Sequence, residues 1–584
     1  MREGSAVARL LRGVPGLLAI ASLIAGGFVV VSTLLLIGEN HFAGPVRDFW
    51  HVVPVLKSFE RGEGTWLALF HLHGGHRLFF PRLLYVAEYS FFDGRNVFLL
   101  CAGVALQVVL AAIVAHAVWS ERRRSGPALT GYCLGLVLAL AFSATQLENF
   151  VRPWNVHWFL ANAAVVLSLA AGLRAGDAIR GRSEAVAWGW WLLASAAGWL
   201  ASYSMATGLL SWPLLLFLGF LSGWGPRFHL ATGVQGALAL AVYLRGSPLL
   251  DKGPSVESGG ALFGWLLACL GSPLSWLSRD AGSALALVGT LALAAVSLRL
   301  AARRSSASRS ERLLAGLALF AWGATALIAL GRTSLWPESW EAARYQTIVL
   351  LFWLDLVLLA LFALRGGRLH QRVLRPLLML AVLIWLGAAV LPGHFRQAEA
   401  IGSFVAKVRS ANLALLFGVS QRADYDHVLT FSDRELGLDS AAAHWRFLHE
   451  RRLGVFGDPH REWLGRVLDE VLLVEGADRC RGEVVRVDRV PTRRGTALRL
   501  RGWARDVAAR RAPSLLLATD GRGSVVGLGT PLRRTLGPCG WREEERPEWH
   551  GYARARSGSL DVWALLESGE FCRIARVRRA PRAP

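Results

Sequence analysis

Residues 14–37 read VPGLLAIASLIAGGFVVVSTLLLI, without one charged side chain. About 20 such residues suffice to cross the hydrocarbon core of a bilayer as a helix. Ten further segments of this kind follow, at 97–119, 127–147, 156–173, 186–202, 205–222, 228–244, 281–298, 313–330, 346–364 and 376–391. Eleven spans are therefore predicted, and with them an α-helical polytopic membrane protein. The first segment is long for a secretory signal and shows no small-residue cleavage site, so it reads as an anchor. A further apolar stretch, 259–276, holds Gly271, Ser272 and Pro273. Counting it as a span would put Arg303, Arg304, Arg309 and Arg312 outside, so it reads as re-entrant or interfacial.

Composition agrees with this class. The 584 residues are 53% hydrophobic and 18% charged, against about 25% charged in an ordinary soluble domain. The 24 tryptophans suit a chain that meets two headgroup layers. The net charge of +22 would by itself suggest nucleic acid, but its placement does not. With the N-terminus inside, cytoplasmic segments carry 19 Lys/Arg against 5 Asp/Glu, and the outer loops carry 12 against 12. That is the positive-inside bias of a cytoplasmic (inner) bacterial membrane, and no nucleic-acid partner is expected. Eleven spans put the tail beyond residue 391 outside, in the periplasm or extracellular space. The six cysteines form no CxxC pair, which excludes a zinc ribbon.

Residues with chemical potential concentrate in the predicted outer loops. The first, 38–96, is the longest and holds Asp48, His71, His73, His76, Arg77 and Arg82. Its DFWHVVPVLKSF and TWLALFHL stretches have the amphipathic pattern of helices lying along a membrane. The second holds Glu148, Arg152, Trp154 and His157, and the loop before the tenth span holds Arg344 and Tyr345. A carboxylate beside an acceptor hydroxyl is a general base. Arginines fork onto phosphate oxygens. Acids beside histidine hold a divalent metal that neutralises phosphate. Together these parts suit a lipid-phosphate sugar donor and a hydroxyl acceptor.

This layout resembles the GT-C superfamily of polyprenyl-phosphate-dependent glycosyltransferases. The matching features are Asp48 in VRDFW after the first span, Glu148 and His157 in the second outer loop, and Arg344–Tyr345 in EAARY. A closer resemblance is to poorly characterised bacterial multi-pass proteins with a segment like HNEHR…PRLL and a Gly-Asn before the second span. Here the segment is HGGHRLFFPRLL, followed by DGRN, so Gly75 stands where that pattern has glutamate. The resemblance covers roughly residues 14–391. It implies transfer of a sugar from a polyprenyl-phosphate-linked donor to a surface glycan or lipid acceptor at the outer face. Asp48, Glu148 and His157 are then the catalytic candidates and the candidate ligands of a divalent cation, magnesium or manganese. His76, Arg77, Arg82, Arg152, Arg344 and Tyr345 are the candidates for substrate and phosphate. The alternatives are a transporter or flippase of a lipid-linked glycan, and a non-catalytic sugar-binding assembly subunit.

Each candidate also has a structural reading. Asp48 suits a helix N-cap, and outer-face His and Arg side chains snorkel to headgroups. Arg344 suits an ion pair with Glu338 or Glu341. Asp355 in LFWLDLVLL falls mid-span, where an acid marks either function or a buried hydrogen bond. Asp424-Tyr425-Asp426 imitates a DxD motif, but no βαβ pattern surrounds it, so it reads as a loop.

The predicted domains are 1–391, transmembrane; 392–475, a helical connector; and 476–580, an antiparallel β-sandwich. The last follows from short strand-like runs such as EVVRVDRV, ALRLRGWA and SVVGLGT with turn signals between them. Cys480 and Cys572 bracket these runs, and an oxidising compartment permits their disulfide; Cys480–Cys539 is the rival pairing. Trp503, Trp541, Trp549 and Trp563 are candidates for stacking on sugar rings, with Trp503 and Trp563 assigned to the core.

Overall fold

The computed structural model describes residues 4–63, 65–246, 258–275, 278–303, 307–333, 337–365, 370–424, 444–457, 459–468, 473–476, 478–493, 495–532, 536–537, 540–541, 546–554 and 559–577. The chain forms two compact units. One comprises Met1–Ile37, Trp66–Leu83 and Leu100–Gln397; the other comprises Gly38–Thr65, Leu84–Leu99 and Ala398–Pro584. Most of the predicted first outer loop thus clusters with the C-terminal residues, and only its middle part joins the helices.

In the first unit, the predicted spans are helices. Across the described residues, eight helices are long and apolar enough to cross a membrane: Val14–Glu39, Val97–Ser120, Pro127–Val151, Pro153–Arg180, Arg279–Ala302, Arg309–Arg332, Ala343–Ala363 and His370–Leu416. The other three expected spans are also helical, at Glu184–Ser202, Ser211–Ser222 and Pro226–Leu244. The first is rich in Trp, Ala, Ser and Gly, the second is short, and the third carries Arg227, His229 and Gln235, so they fall below that standard. The stretch at 259–276 forms a short apolar helix, Gly259–Gly271, and a 3₁₀ turn, Ser272–Leu274. It is tied to its neighbours by Gln346 donating to Ser272 Oγ and Trp353 donating to the Leu270 carbonyl, both at 2.8 Å.

Pro153–Arg180 is the central helix, with 89% of its apolar window buried, whereas Arg279–Ala302 is peripheral at 22%. Close approach between the first and third helices depends on glycine. A Cβ on Gly26 would lie 2.6 Å from the Gly135 carbonyl oxygen, and one on Gly135 would overlap the backbone of Ser22. That contact lets Ser22 Oγ reach the Tyr132 carbonyl at 2.9 Å and Thr33 Oγ1 reach that of Phe142 at 2.6 Å. Small residues and short hydroxyl bonds are how helices associate where no hydrophobic gradient separates lipid from side chain.

The second unit contains the amphipathic helix Val52–Arg61, which buries Val52, Val53, Val55 and Leu56. It also contains Glu88, whose carboxylate accepts from the backbone N–H groups of Asn96 and Leu99 at 2.6 and 3.1 Å. These are orphan donors at a helix N-terminus, where an anion is favoured. Asn96 of the DGRN turn then donates to the carbonyls of Phe42 and Gly44.

The expected two-sheet sandwich is instead one eight-stranded sheet. After a hairpin in the first unit (β1, Leu72–His73; β2, His76–Arg77), the strands are β3 Leu473–Val474, β4 Cys480–Thr492, β5 Gly495–Asp506, β6 Leu516–Thr519, β7 Val525–Pro531, β8 Leu536–Gly537, β9 Gly540–Trp541, β10 Glu548–Arg554, β11 Leu560–Leu565 and β12 Phe571–Val577. The sheet order is β3-β12-β11-β6-β7-β10-β5-β4, antiparallel except for β3 beside β12; β8 and β9 pair separately. The sheet curls so that β4 meets β12: a Cβ on Gly482 would touch Ile574, and Cys480 and Cys572 are joined by a disulfide with Cα atoms 6.1 Å apart. Curling lets one sheet enclose a core of Leu498, Leu500, Leu516, Val526, Trp549 and Val562. The opposite face, around Leu517, Leu528 and Trp563, packs against Leu413 and Leu416 of the helix Leu391–Leu416 and against Phe417 just beyond it. Alternation marks which strand face is buried, but not whether the facing layer is a second sheet, the same sheet or a helix.

Candidate functional site

The HGGH segment shapes the site in the first unit. Gly74 and Gly75 have φ of +54° and +83°, the backbone signature of a two-residue hairpin turn that glycine adopts without strain. The turn pairs His73 with His76 and Leu72 with Arg77. Gly75 is thus the pivot of this hairpin.

Arg77 anchors it. This arginine is nearly buried and donates from Nε to the Tyr243 carbonyl at 2.7 Å, from Nη1 to that of Phe70 at 2.8 Å, and from Nη2 to that of Arg245. Tyr243 and Arg245 stand at the C-terminal end of the helix Pro226–Leu244, where carbonyls lack intrahelical partners and a cation is favoured. The Tyr243 hydroxyl donates back to the Gly75 carbonyl at 3.1 Å. Arg82 likewise donates to the carbonyls of Ala68, Leu69 and His71, at the end of the helix Thr65–Phe70. Arg77 and Arg82, predicted as phosphate ligands, therefore direct their guanidinium groups at backbone carbonyls.

A second stretch packs on this hairpin, and a third packs on that stretch. His73 lies edge-on to Trp154, ring centroids 4.9 Å apart. Trp154 accepts on its carbonyl from His157 Nδ1 at 2.6 Å. His157 is buried, and Trp158 beside it contacts Tyr345 edge to face. Glu148 pairs with Arg152 at 2.5 Å. Asn149 donates to the Arg344 carbonyl and to Thr347 Oγ1, both at 2.9 Å, and Thr347 donates to Gln146. Arg344 packs over the Tyr345 ring. His76, Arg77, Arg82, Glu148, Arg152, His157, Arg344 and Tyr345 therefore all belong to one unit. The buried polar atoms of this cluster with no hydrogen-bond partner among the described residues include His76 Nδ1 and the Tyr345 hydroxyl. Burial, followed by the charge of Arg332, pushes the His76 ring down to about 4, so it is neutral at pH 7.

Asp48 belongs to the second unit. It is exposed, in the 3₁₀ turn Arg47–His51 between buried Val46 and Phe49. The expected N-cap bond is not made: the turn has no side-chain cap, and Arg47 instead packs over Phe404. Among the described residues no group of three or more His, Cys, Asp or Glu is placed to hold a metal ion. Of the predicted set, Asp48 lies in one unit and Glu148 and His157 lie in the other.

Asp355 is wholly buried in the helix Gln346–Ala363, with no hydrogen-bond partner for either oxygen among the described residues. Asp424, read as a loop acid, carries a structural pair: it accepts from Arg499 at 2.8 Å and from the Tyr552 hydroxyl at 2.9 Å. Tyr425, Asp426, Cys539 and the Trp541 side chain lie outside the described residues. Trp563 and Trp549 are core residues, but Trp503, assigned to the core by sequence, is half-exposed. No sequence signal links Asp424 to Arg499, or His73 to Trp154, because neither pair shares an element or a period.

Comparison with known proteins returned no matching family model, no similar curated protein and no similar solved structure. The fold therefore defines a broad class: a chain with several helices able to cross a membrane and a C-terminal β-sheet domain.

Proposed function

We propose that this protein is an inner-membrane glycosyltransferase of GT-C-like type. It moves a sugar from a polyprenyl-phosphate donor to a surface glycan or lipid at the outer face. Its N-terminus is cytoplasmic and its C-terminal domain lies outside, giving eleven spans in all. The observation that carries the reading is the meeting of the HGGH hairpin, the Glu148–His157 stretch and Arg344–Tyr345 in one aromatic-lined cluster. In this reading Arg152 and Arg344 face donor phosphate, while Arg77 and Arg82 hold the hairpin. His76 Nδ1 and the Tyr345 hydroxyl supply hydrogen bonds to the sugar, since buried polar groups are nearly always satisfied in the working state. Asp48, exposed and carboxylate-bearing, has the chemistry of a general base.

A lipid-linked glycan transporter is the second reading, favoured by the partnerless burial of Asp355 in a predicted span.

The test uses a deletion strain complemented with Asp48→Asn, Glu148→Gln or Asp355→Asn, with surface glycans analysed by mass spectrometry. Transfer predicts loss of the glycan product in the first two variants at normal protein levels, and its retention in the third. Unchanged glycans in both Asp48→Asn and Glu148→Gln, alongside loss in the deletion strain, would sink the reading. Loss in Asp355→Asn alone would favour transport.

A further inference from the structure

The C-terminal domain carries a half-open cleft of about 540 Å³, within the roughly 300–1,000 Å³ of small-molecule sites. It is built by β4, β5 and β10 together with Lys407 and Ser410 of the helix Leu391–Leu416. A β-bulge shapes its rim: the register of β4 against β5 shifts between Val484 and Arg486, leaving Val485 unpaired. Bulges re-aim side chains in this way beside binding sites. Gly502 forms part of the wall, and a Cβ there would lie 3.0 Å from Trp549 Nε1 and overlap the Glu483 carbonyl. The wall therefore stays thin over the buried indole.

Charge and chemistry on this cleft are uneven. Four cationic side chains and two carboxylates line it. Asp424 is committed to Arg499 and Tyr552, and Arg486 to Asp488 at 2.9 Å. Arg501 is exposed and makes no hydrogen bond or ion pair among the described residues. Arg546 packs over Trp503, whose half-exposed ring lines the cleft. Beneath lie two polar groups in need of partners. His550 is 8% exposed and Trp549 2%. His550 meets Ser410 Oγ through Nδ1, while His550 Nε2 and Trp549 Nε1 have no hydrogen-bond partner among the described residues. Burial first, then the charge of Arg501, pushes the His550 ring down to about 4, so it faces a ligand as a neutral group at pH 7.

We propose that this cleft binds an acidic saccharide, a sugar ring bearing a carboxylate. Arg501 receives the carboxylate as a charge-assisted fork, and Lys407, which also lines the cleft, adds positive charge. The Trp503 face stacks on the ring, and ring hydroxyls reaching the floor satisfy His550 Nε2 and Trp549 Nε1. A simple anion would use the arginine alone and leave the indole face and the floor unused. The site is independent of the transfer chemistry above, because it shares no residue with that cluster.

The purified full-length chain in detergent is titrated calorimetrically with trigalacturonate, a hyaluronan tetrasaccharide and sialyllactose. Maltotriose, inorganic phosphate and soluble dihexanoyl phosphatidylglycerol are the comparisons. At least one acidic oligosaccharide is expected to bind about tenfold more tightly than each comparison, and Arg501→Gln and Trp503→Ala each to weaken it about tenfold. Neither side chain is buried, and an unchanged thermal midpoint confirms that the variants fold. The proposal is overturned if none of the three acidic sugars binds, if maltotriose, phosphate or the lipid binds as tightly, or if both variants bind like the native chain.

Discussion

Arg77 Nε donates to the Tyr243 carbonyl at 2.7 Å, across 166 positions of sequence. Through this bond and its two companions, one guanidinium caps the end of the helix Pro226–Leu244 and fixes the hairpin that presents His73 and His76. Arg77→Ala is expected to destabilise the first unit by about 2–3 kcal/mol, because several buried carbonyls lose their donor. Arg77→Lys should recover little, since an ammonium donates from a single nitrogen and cannot span the three carbonyls that Arg77 reaches from Nε, Nη1 and Nη2. Thermal unfolding in detergent, with protease sensitivity of the 71–78 segment, reads both. A lysine variant as stable as the native chain would show that charge alone suffices.

The glycine contact between the first and third helices makes a second prediction. Gly135→Ala should cost about 1–3 kcal/mol by overpacking, because the new methyl meets backbone rather than a movable side chain. Gly27→Ala is the control, since a Cβ there meets nothing within 4 Å. Equal thermal midpoints for the two variants would contradict the packing.

The Cys480–Cys572 disulfide links β4 to β12 with a sequence separation of 92. Replacing both cysteines with serine should lower the stability of the C-terminal domain by about 2–5 kcal/mol. Denaturant unfolding followed by tryptophan fluorescence measures it. Mass mapping of the unreduced chain should recover the 480–572 cross-link, and a 480–539 cross-link instead would refute the assignment.

His550 and His444 both titrate near 4 rather than at the usual 6.5, each chiefly through burial. The unfolded chain therefore takes up protons from about pH 6.5 downward, while the folded chain does so only near 4. Stability of the second unit is then full above about pH 6.5, falls between 6.5 and 4, and levels off below. Arg501 and Arg499 oppose a charge on His550, and Asp424 and Asp488 favour it. The denaturation midpoint should drop between pH 7 and pH 5 and drop less in His550→Gln. Parallel profiles for the two chains would rule out His550 as the source.

Much of the helical framework was legible because hydrophobicity is a local property. Each predicted span coincides with a helix, since a run of apolar residues buries its backbone polar groups only by bonding within itself. The amphipathic helix at Val52–Arg61 was legible for the same reason: its apolar residues recur at helical spacing. Strands were legible by their alternation and turns. Their order was not, because neighbours such as β5 and β10 are joined only in space.

The sequence alone determined a helical chain with long apolar segments, a change to strand periodicity near residue 478, and a stock of acids, histidines and arginines in the connecting loops. Tertiary structure decided what those side chains do. It turned Arg77 and Arg82 to backbone carbonyls, brought His73 to Trp154, left Asp48 exposed, and opened a cleft beside Trp503 while burying Trp563. The physical reason is that every residue offers the same carbonyl and amide. The partner of a long side chain is therefore fixed by which backbone arrives within about 3 Å of it, and nothing in the order of residues records that distance.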